Sequence, residues 1–452
     1  MRISLIQAAT IFQIILMVSL FLIANCSTHK TDFRIGVARV NMTPPVHQRP
    51  VALGGYGERD GRPATGVRDS VYARAMVIES GGKKCCLVSL DLCFTPASIK
   101  EETVKILNEH DAQNKSGLSM TNILLSATHS HAAPEAFAMS RANIFGNPRL
   151  GIFDEPLLLE TAAAAAKAIL DANANLTPAR IGIGSAQIAG MSRNRRGNKI
   201  IDPELTVIKV IGENEQIKAV WMNFTAHPTI LDADFMEVSG GWPGVLATTL
   251  EQDLGNNAVV LFTNGAQGDQ SAVAKSAPSD YERVLNYSSE MKSKVAQVLE
   301  TINANQQPEI GMVTIDYQLP EIKISPTFEL TAGHEYNVPT ENLLPMINQL
   351  FPQSVPLAAI HLGNLVMVSV PGEMICEIGL DIKKKLRQNG IEHPVIVGLA
   401  NKYIGYILTQ EEYHKGGYEA AVSFYGETLG AEIEKGIIDA GMQATSKTDA
   451  RL

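Results

Sequence analysis

The sequence is short of the residues that build several familiar kinds of site. Cysteine occurs five times in 452 residues, too few for a disulfide scaffold in a chain this long. No Cys-x-x-Cys pair is present, which argues against a thiolate zinc site. Nothing like a His-Glu-x-x-His helix appears either, so spacing alone dictates no metal site. Cations are outnumbered, 38 Lys plus Arg against 47 Asp plus Glu, for a formal charge of −9. A nucleic-acid partner is therefore not expected, because binding phosphates needs clustered Lys and Arg. There is no repeat at a fixed period and no low-complexity tract, and neither Pro plus Gly nor charge reaches the level of a disordered chain. Long apolar runs are missing with one exception, Ile11 to Ala24, broken only by Gln13 and Ser19. That run is short for a membrane span, which needs about 20 residues. With Arg2 before it and Cys26, Ser27 and Thr28 after it, it reads as an export signal. Residues 1–26 are accordingly expected to be a lipoprotein-type signal ending at Cys26, whose lipidation would associate the protein with a membrane. Residues 27–32 read as a polar linker. The expected location is the bacterial cell envelope, as a periplasmic or outer-membrane lipoprotein, or the medium if the chain is simply secreted.

What is present is enough apolar sequence, 45% of residues, for a large core. RIGVARVN, VYARAMVIES, KKCCLVSLDL, NILLSAT, LTVIKVIG, IKAVWMNFTA, NAVVLFTN, NLVMVSV and HPVIVGLA read as strands. Helical periodicity covers Ser98 to His110, Glu155 to Asn173, Trp242 to Leu254, Tyr281 to Ile302 and Met374 to Arg387. This alternation predicts an α/β fold with mixed sheets flanked by helices, in one domain over residues 33–441. Successive side chains of a strand face opposite ways, so Cys85 and Cys86 are expected as small core residues. The polar, Pro-containing region from Gln306 to Pro352 reads as an insertion or lid, and residues 442–452 as a flexible tail.

Five of the strands run into loops with polar residues that could carry chemistry: NILLSATHSH, AVWMNFTAHP, AVVLFTNGAQGDQS, LVMVSVPGE and PVIVGLANKYIGY. In α/β folds, ligands and catalytic groups gather where loops converge beyond the carboxyl ends of strands. His129 and His131, two apart at a strand end, point to one side. His227 precedes Pro228, and Glu373 follows Pro371 and Gly372, where it reads as opening a helix. Each has an ordinary structural role when taken alone: a strand cap, a helix N-terminal carboxylate, or, for Tyr403 and Tyr406, half-buried phenols. Together, two neutral imidazoles and a carboxylate make a common catalytic zinc set.

The order of these motifs resembles the neutral, non-lysosomal ceramidase family, over about Arg34 to Gly430. GVARVNMTPP, GGYG and VYARAMVIE resemble its opening strand, glycine loop and second strand. ATHSH resembles its zinc-binding motif, which implies His129 as a ligand and His131 as a second, non-ligand active-site histidine. NRR near Asn194 places Arg195 where the family has a substrate-contacting arginine. NFTAHP implies His227 as a ligand, GDQSA places Ser271 at the catalytic serine, and VPGE implies Glu373 as a ligand. NKYIGYILTQEEYHKGGYEAAVSFYG implies Tyr406 as the fourth ligand and Tyr418 as a second substrate-contacting residue. Three departures stand out. THSHAAPE stands where the family has Ser-Gly-Pro after the histidines, Ala272 replaces a proline, and SGGWPG lacks an aspartate. The chain also stops soon after the last motif, as expected of a reduced form without the family's immunoglobulin-like C-terminal domain.

The resemblance implies one Zn2+ per chain and hydrolysis of an N-acyl amide, as in ceramide, to a fatty acid and a sphingoid base. Alternatives are a related metal-dependent amidase or esterase with a non-ceramide substrate, and a non-catalytic lipid- or glycan-binding lipoprotein.

Overall fold

The computed structural model describes residues 32–110, 116–255, 257–338 and 340–449; the expected signal, Cys26 and nearly all of the linker lie outside them. Twelve strands form two sheets. The larger is built from β1 (Arg34–Asn41), β2 (Tyr72–Ser80), β3 (Lys83–Leu90), β4 (Ile123–Ala127), β5 (Thr177–Gln187), β6 (Glu204–Gly212), β7 (Ile217–Phe224) and β8 (Val259–Asn264). Its spatial order is β8-β7-β6-β5-β1-β2-β3-β4. The β3/β4 and β7/β8 pairs are parallel and the others antiparallel. The smaller sheet has the order β9 (Ile310–Gln318), β10 (Ser354–Leu362), β11 (Leu365–Ser369), β12 (His393–Val397), with β11 and β12 parallel. The expected α/β class with mixed sheets and flanking helices is thus the observed one.

Period-2 alternation sets the layers. On β2 and β3, Ala73, Ala75, Val77, Cys86 and Val88 pack against helices α1 (Ala97–His110) and α2 (Glu155–Ala174). Their neighbours Met76, Ile78, Cys85 and Leu87 face a cluster shared with Trp221 and Leu261 of the larger sheet and with Ile360, Met367 and Val395 of the smaller one. The two sheets therefore share one apolar core, which Cys85 enters while Cys86 points from the opposite face of β3 to the helices; both are buried, as read from the sequence. Helices α3 (Gly241–Leu254) and α4 (Asp280–Thr301) cover β6–β8, while α5 (Cys376–Gln388) and α6 (Leu429–Asp449) cover the smaller sheet. Ser89 on β3 donates to the Phe262 carbonyl on β8 at 2.6 Å, so the larger sheet folds its two halves together. This brings the loop after β4 to the loops after β7 and β8.

Three expectations change. The 306–352 region is not simply an insertion, because Ile310–Gln318 pairs along its whole length with β10; only the part after it, with short helices Ala332–Tyr336 and Thr340–Leu350, lies outside the sheets. The final helix α6 runs on to Asp449 through most of the expected tail, because Ala440 and Ala444 continue the apolar stripe of Leu429, Ile433 and Ile437 against the core. Glu373 does not open a helix. Glu373–Met374 pairs in parallel with Tyr406–Ile407, and α5 begins only at Cys376.

Candidate metal centre and its cavity

The loops after β4, β7, β11 and β12 meet around a cavity of about 440 Å³, with His129, His131, Arg195, His227, Glu373, Tyr403, Tyr406 and Tyr418 in its wall. His129 lies two residues beyond β4 with φ 75°, a left-handed conformation uncommon outside glycine. Its amide is pinned to the Leu92 carbonyl at 2.8 Å. The His227 amide bonds the Gln270 carbonyl at 2.7 Å. The Gly-Asp-Gln-Ser loop lies directly on the Glu373 strand: the Gly268 amide donates to the Met374 carbonyl at 2.8 Å. A Cβ on Gly268 would lie 2.6 Å from the Glu373 carbonyl oxygen, so this approach needs glycine.

The hydrogen bonds fix what the histidines present. His129 Nδ1 is 2.6 Å from the Cys93 carbonyl and His227 Nδ1 is 3.0 Å from the Gln267 carbonyl. A carbonyl can only accept, so both Nδ1 atoms carry a proton and both Nε2 atoms turn inward, the orientation in which a neutral ring presents a lone pair to a metal. Those two Nε2 atoms are 2.8 Å apart. Glu373 Oε2 lies 3.2 Å from one and 3.4 Å from the other. It is buried without a hydrogen-bond partner, whereas Oε1 accepts from the Tyr403 hydroxyl at 2.8 Å. The cluster holds together with a cation among these atoms, supplied either by a proton on an imidazole or by a metal ion bound to neutral rings. The donor set therefore fits a metal ion, with both imidazoles oriented by carbonyls and the carboxylate by a phenol. Cys93, His129 and His131 form an overlapping group, but the Cys93 thiol meets His129 at Nδ1, 3.7 Å away, rather than at the inward-facing Nε2.

Burial, with Arg195 next, holds His227 well below the usual histidine range, and burial does the same to His131. Burial opposes ionisation of Glu373, yet His129 and further partners keep its carboxyl below the ordinary value. Tyr406 faces Glu373 across the short strand pair, and its hydroxyl accepts from Arg195 Nη2 at 2.8 Å. Arg195 is held on its other sides by Glu419 at 2.8 Å and the Gly268 carbonyl at 2.8 Å. Burial raises the Tyr406 phenol well above its usual range although Arg195 opposes this. Tyr418 shares a hydroxyl–hydroxyl bond of 3.0 Å with Tyr336. His131 Nε2 is 3.4 Å from His129 Nε2.

Seven of the eight residues expected at the site are thus brought together, and Ser271 is not. It is partly exposed in a short strand, Gln270–Ala272, paired with Arg193. Its backbone bridges His227, but it does not line the cavity.

A family model described as neutral/alkaline non-lysosomal ceramidase, N-terminal, matches residues 33–295 and 334–433. The chain belongs to this family. Its ceramidase-type amidohydrolase relatives include the neutral ceramidase of Pseudomonas aeruginosa, 22% identical over 94% of this chain and 74% of that protein. Neutral ceramidase B of Dictyostelium discoideum is 20% identical over 82% of this chain and 67% of that one. The crystal structure of the Pseudomonas aeruginosa neutral ceramidase superposes with a TM-score of 0.79 at 20% identity, covering 92% of this chain and 75% of that one. The ceramidase-family match leaves out residues 296–333, although β9 is integral to the smaller sheet.

Sequence reasoning did not assign three residues of this ceramidase-family site. Tyr403 donates to Glu373; its only signal was its place three residues before Tyr406. Glu135 lines the cavity, and burial raises its carboxyl to about 7. Arg59, 1% exposed, gives its guanidinium to the carbonyls of Gly54, His131, Asp232, Ala233 and Phe235. It thereby ties the glycine loop, the His131 loop and the loop after His227 together.

Proposed function

We propose that this chain hydrolyses an N-acyl amide bond with one zinc ion held by His129, His227, Glu373 and Tyr406, and that ceramide, after which its relatives are named, is the first substrate to test. The observation that carries the reading is the convergence of two inward-facing Nε2 atoms and an unpartnered carboxylate oxygen within 2.8–3.4 Å. When bound there, zinc supplies Lewis-acid polarisation of the scissile carbonyl and of water near neutral pH.

The side chains supply the rest. His131 is neutral because burial keeps its pKa low, and its Nε2 faces the same point as His129 Nε2. It takes a proton from the attacking group and returns it to the departing amine nitrogen. Arg195 and Tyr418, both in the cavity wall, stabilise the negative charge that develops on the carbonyl oxygen, where loss of one donor typically costs about 10²-fold or more in rate. Arg195 also holds the Tyr406 hydroxyl next to Glu373. Ser271 was expected as nucleophile; its place outside the wall favours water as the attacking group.

The test is turnover of zinc-loaded protein on a panel of N-acyl lipids and small amides, with both products identified by mass spectrometry. Cleavage of ceramides supports the reading, and cleavage of other amides with no ceramide of any chain length cleaved moves the substrate elsewhere. The second reading, an amidase with a more polar substrate, is favoured by the carboxylates in the cavity wall. We also propose export with a lipid on Cys26: a mass increment lost in Cys26→Ser is expected, and an unmodified Cys26 would end that idea.

A further inference from the structure

The cavity wall carries more carboxylates than its cations can balance. Besides Glu373 it contains Glu58, Glu135, Asp232, Asp234 and Glu335, against Arg149 and Arg195. Both arginines are already engaged. Arg195 binds Glu419 and Tyr406; Arg149 binds Asp60 and the Glu335 carbonyl.

Glu135 is the decisive member. It is 7% exposed, and Oε1 accepts the Phe137 amide at 3.0 Å. No side chain among the described residues donates to it. Arg59 is close enough to act on its charge, yet all of the Arg59 hydrogen bonds go to backbone carbonyls. Ionising a buried carboxyl without a paired cation is costly, and this one stands in the wall of the ligand cavity, where a cationic ligand would stabilise the carboxylate against keeping its proton.

We propose that the substrate carries a cationic ammonium group on its amine-derived half, bound by Glu135, with Asp232 and Asp234 drawing the cation to the mouth. Glu135 is then a specificity residue that touches the substrate. The inference rests on the amide-hydrolase reading above and deepens it by naming a substrate class. Within that reading it favours the more polar substrate over a neutral ceramide. Asp232 and Asp234 are exposed, so their contribution falls with salt; Glu135 is screened far less.

The experiment compares two N-acyl amides of equal size that differ only in a terminal trimethylammonium or tert-butyl group on the amine side, using zinc-loaded wild type and Glu135→Gln. Wild type is expected to prefer the cationic amide in kcat/KM by at least about tenfold, well within what one charge contact in a partly desolvated site supplies. In Glu135→Gln that preference should fall to near unity, chiefly through a higher KM for the cationic amide. Equal use of the two amides by wild type, or an unchanged preference in Glu135→Gln, overturns the inference.

If neither amide is cleaved, the amide-hydrolase reading fails rather than this one, and a binding measurement decides. Calorimetric titration with the trimethylammonium amine itself should show binding to wild type at least about tenfold tighter than to Glu135→Gln. Equal binding overturns the proposal. A cooperative thermal melt and retained zinc content report whether Glu135→Gln has kept its fold.

Discussion

Replacing Tyr403 with phenylalanine removes one oxygen and isolates what orients the proposed zinc ligand. The Tyr403 hydroxyl donates to Glu373 Oε1 at 2.8 Å and leaves Oε2 facing the two histidines. The ring stacks on Phe94 with centroids 4.1 Å apart and an interplanar angle of 22°, and phenylalanine keeps that packing. The variant should therefore fold, with a buried carboxylate that has lost its one phenolic donor at Oε1. A hydrogen bond to a charged group contributes ~1.5–3 kcal/mol, and loss of a residue that orients a metal ligand typically weakens metal binding about 10–100-fold. These two scales agree, since tenfold is ~1.4 kcal/mol. Competition of the apo-protein against a chromogenic zinc chelator reads the change directly. A Tyr403→Phe dissociation constant within about twofold of wild type, with an unchanged melting temperature, would refute the argument that Tyr403 orients Glu373 for a cation.

Other perturbations address separate parts of the site. His129→Ala and His227→Ala should each lose bound zinc and turnover together; full turnover by a zinc-free His129→Ala, His227→Ala protein would contradict the ligand set. Ser271→Ala should keep turnover within about tenfold of wild type, because the side chain lies outside the cavity wall; a loss of 10³-fold or more with zinc retained would place its hydroxyl in the reaction. Arg59→Met leaves five backbone carbonyls without their donor and should lower unfolding stability by ~3 kcal/mol or more in chemical denaturation, and Arg59→Lys, with three donors instead of five, should recover only part. Burial raises the Glu135 carboxyl from 4.5 to about 7, so in that window the folded state holds a proton that the unfolded state has released. Stability associated with this group is present below pH ~4.5 and lost as pH rises to ~7, by ~3 kcal/mol. Glu135→Gln should therefore gain on wild type by about that amount between those pH values in denaturant melts, and parallel stability profiles would exclude a buried, unpaired carboxyl.

Local sequence carried the strands and the long helices, because alternation and 3.6-residue periodicity record which face meets the core. Cys85 and Cys86 show this directly, on opposite faces of β3. It also placed His129, His227 and Glu373 at strand ends, which is where the fold gathers them. The misreadings have a common cause in partners distant along the chain. Ile310–Gln318 alternates like any strand, but its polar surroundings masked the pairing with β10 that makes it part of a sheet. Residues beyond Gly441 look like a polar tail until Ala440 and Ala444 are seen to continue the stripe of α6. Glu373 follows a Pro-Gly pair and precedes a helical pattern, yet pairing with Tyr406 holds it in a short strand. Apart from these, Ser271 matches a family motif by type and order, and the fold adds that Gln270–Ala272 pairs with Ser192–Asn194. Arg59 and Tyr403 had no local signal beyond the loops that contain them, since all of their acceptors except the Gly54 carbonyl lie more than 25 residues away.

The most direct measurement is the metal itself. Elemental analysis of the purified protein, alongside amide turnover before and after chelation and after zinc is restored, should give one zinc per chain, activity that disappears with the metal and returns with it, and no zinc in His129→Ala or His227→Ala. A stoichiometrically metal-free protein that cleaves the same amide at the full rate would contradict the assignment of His129, His227 and Glu373 as a catalytic zinc site.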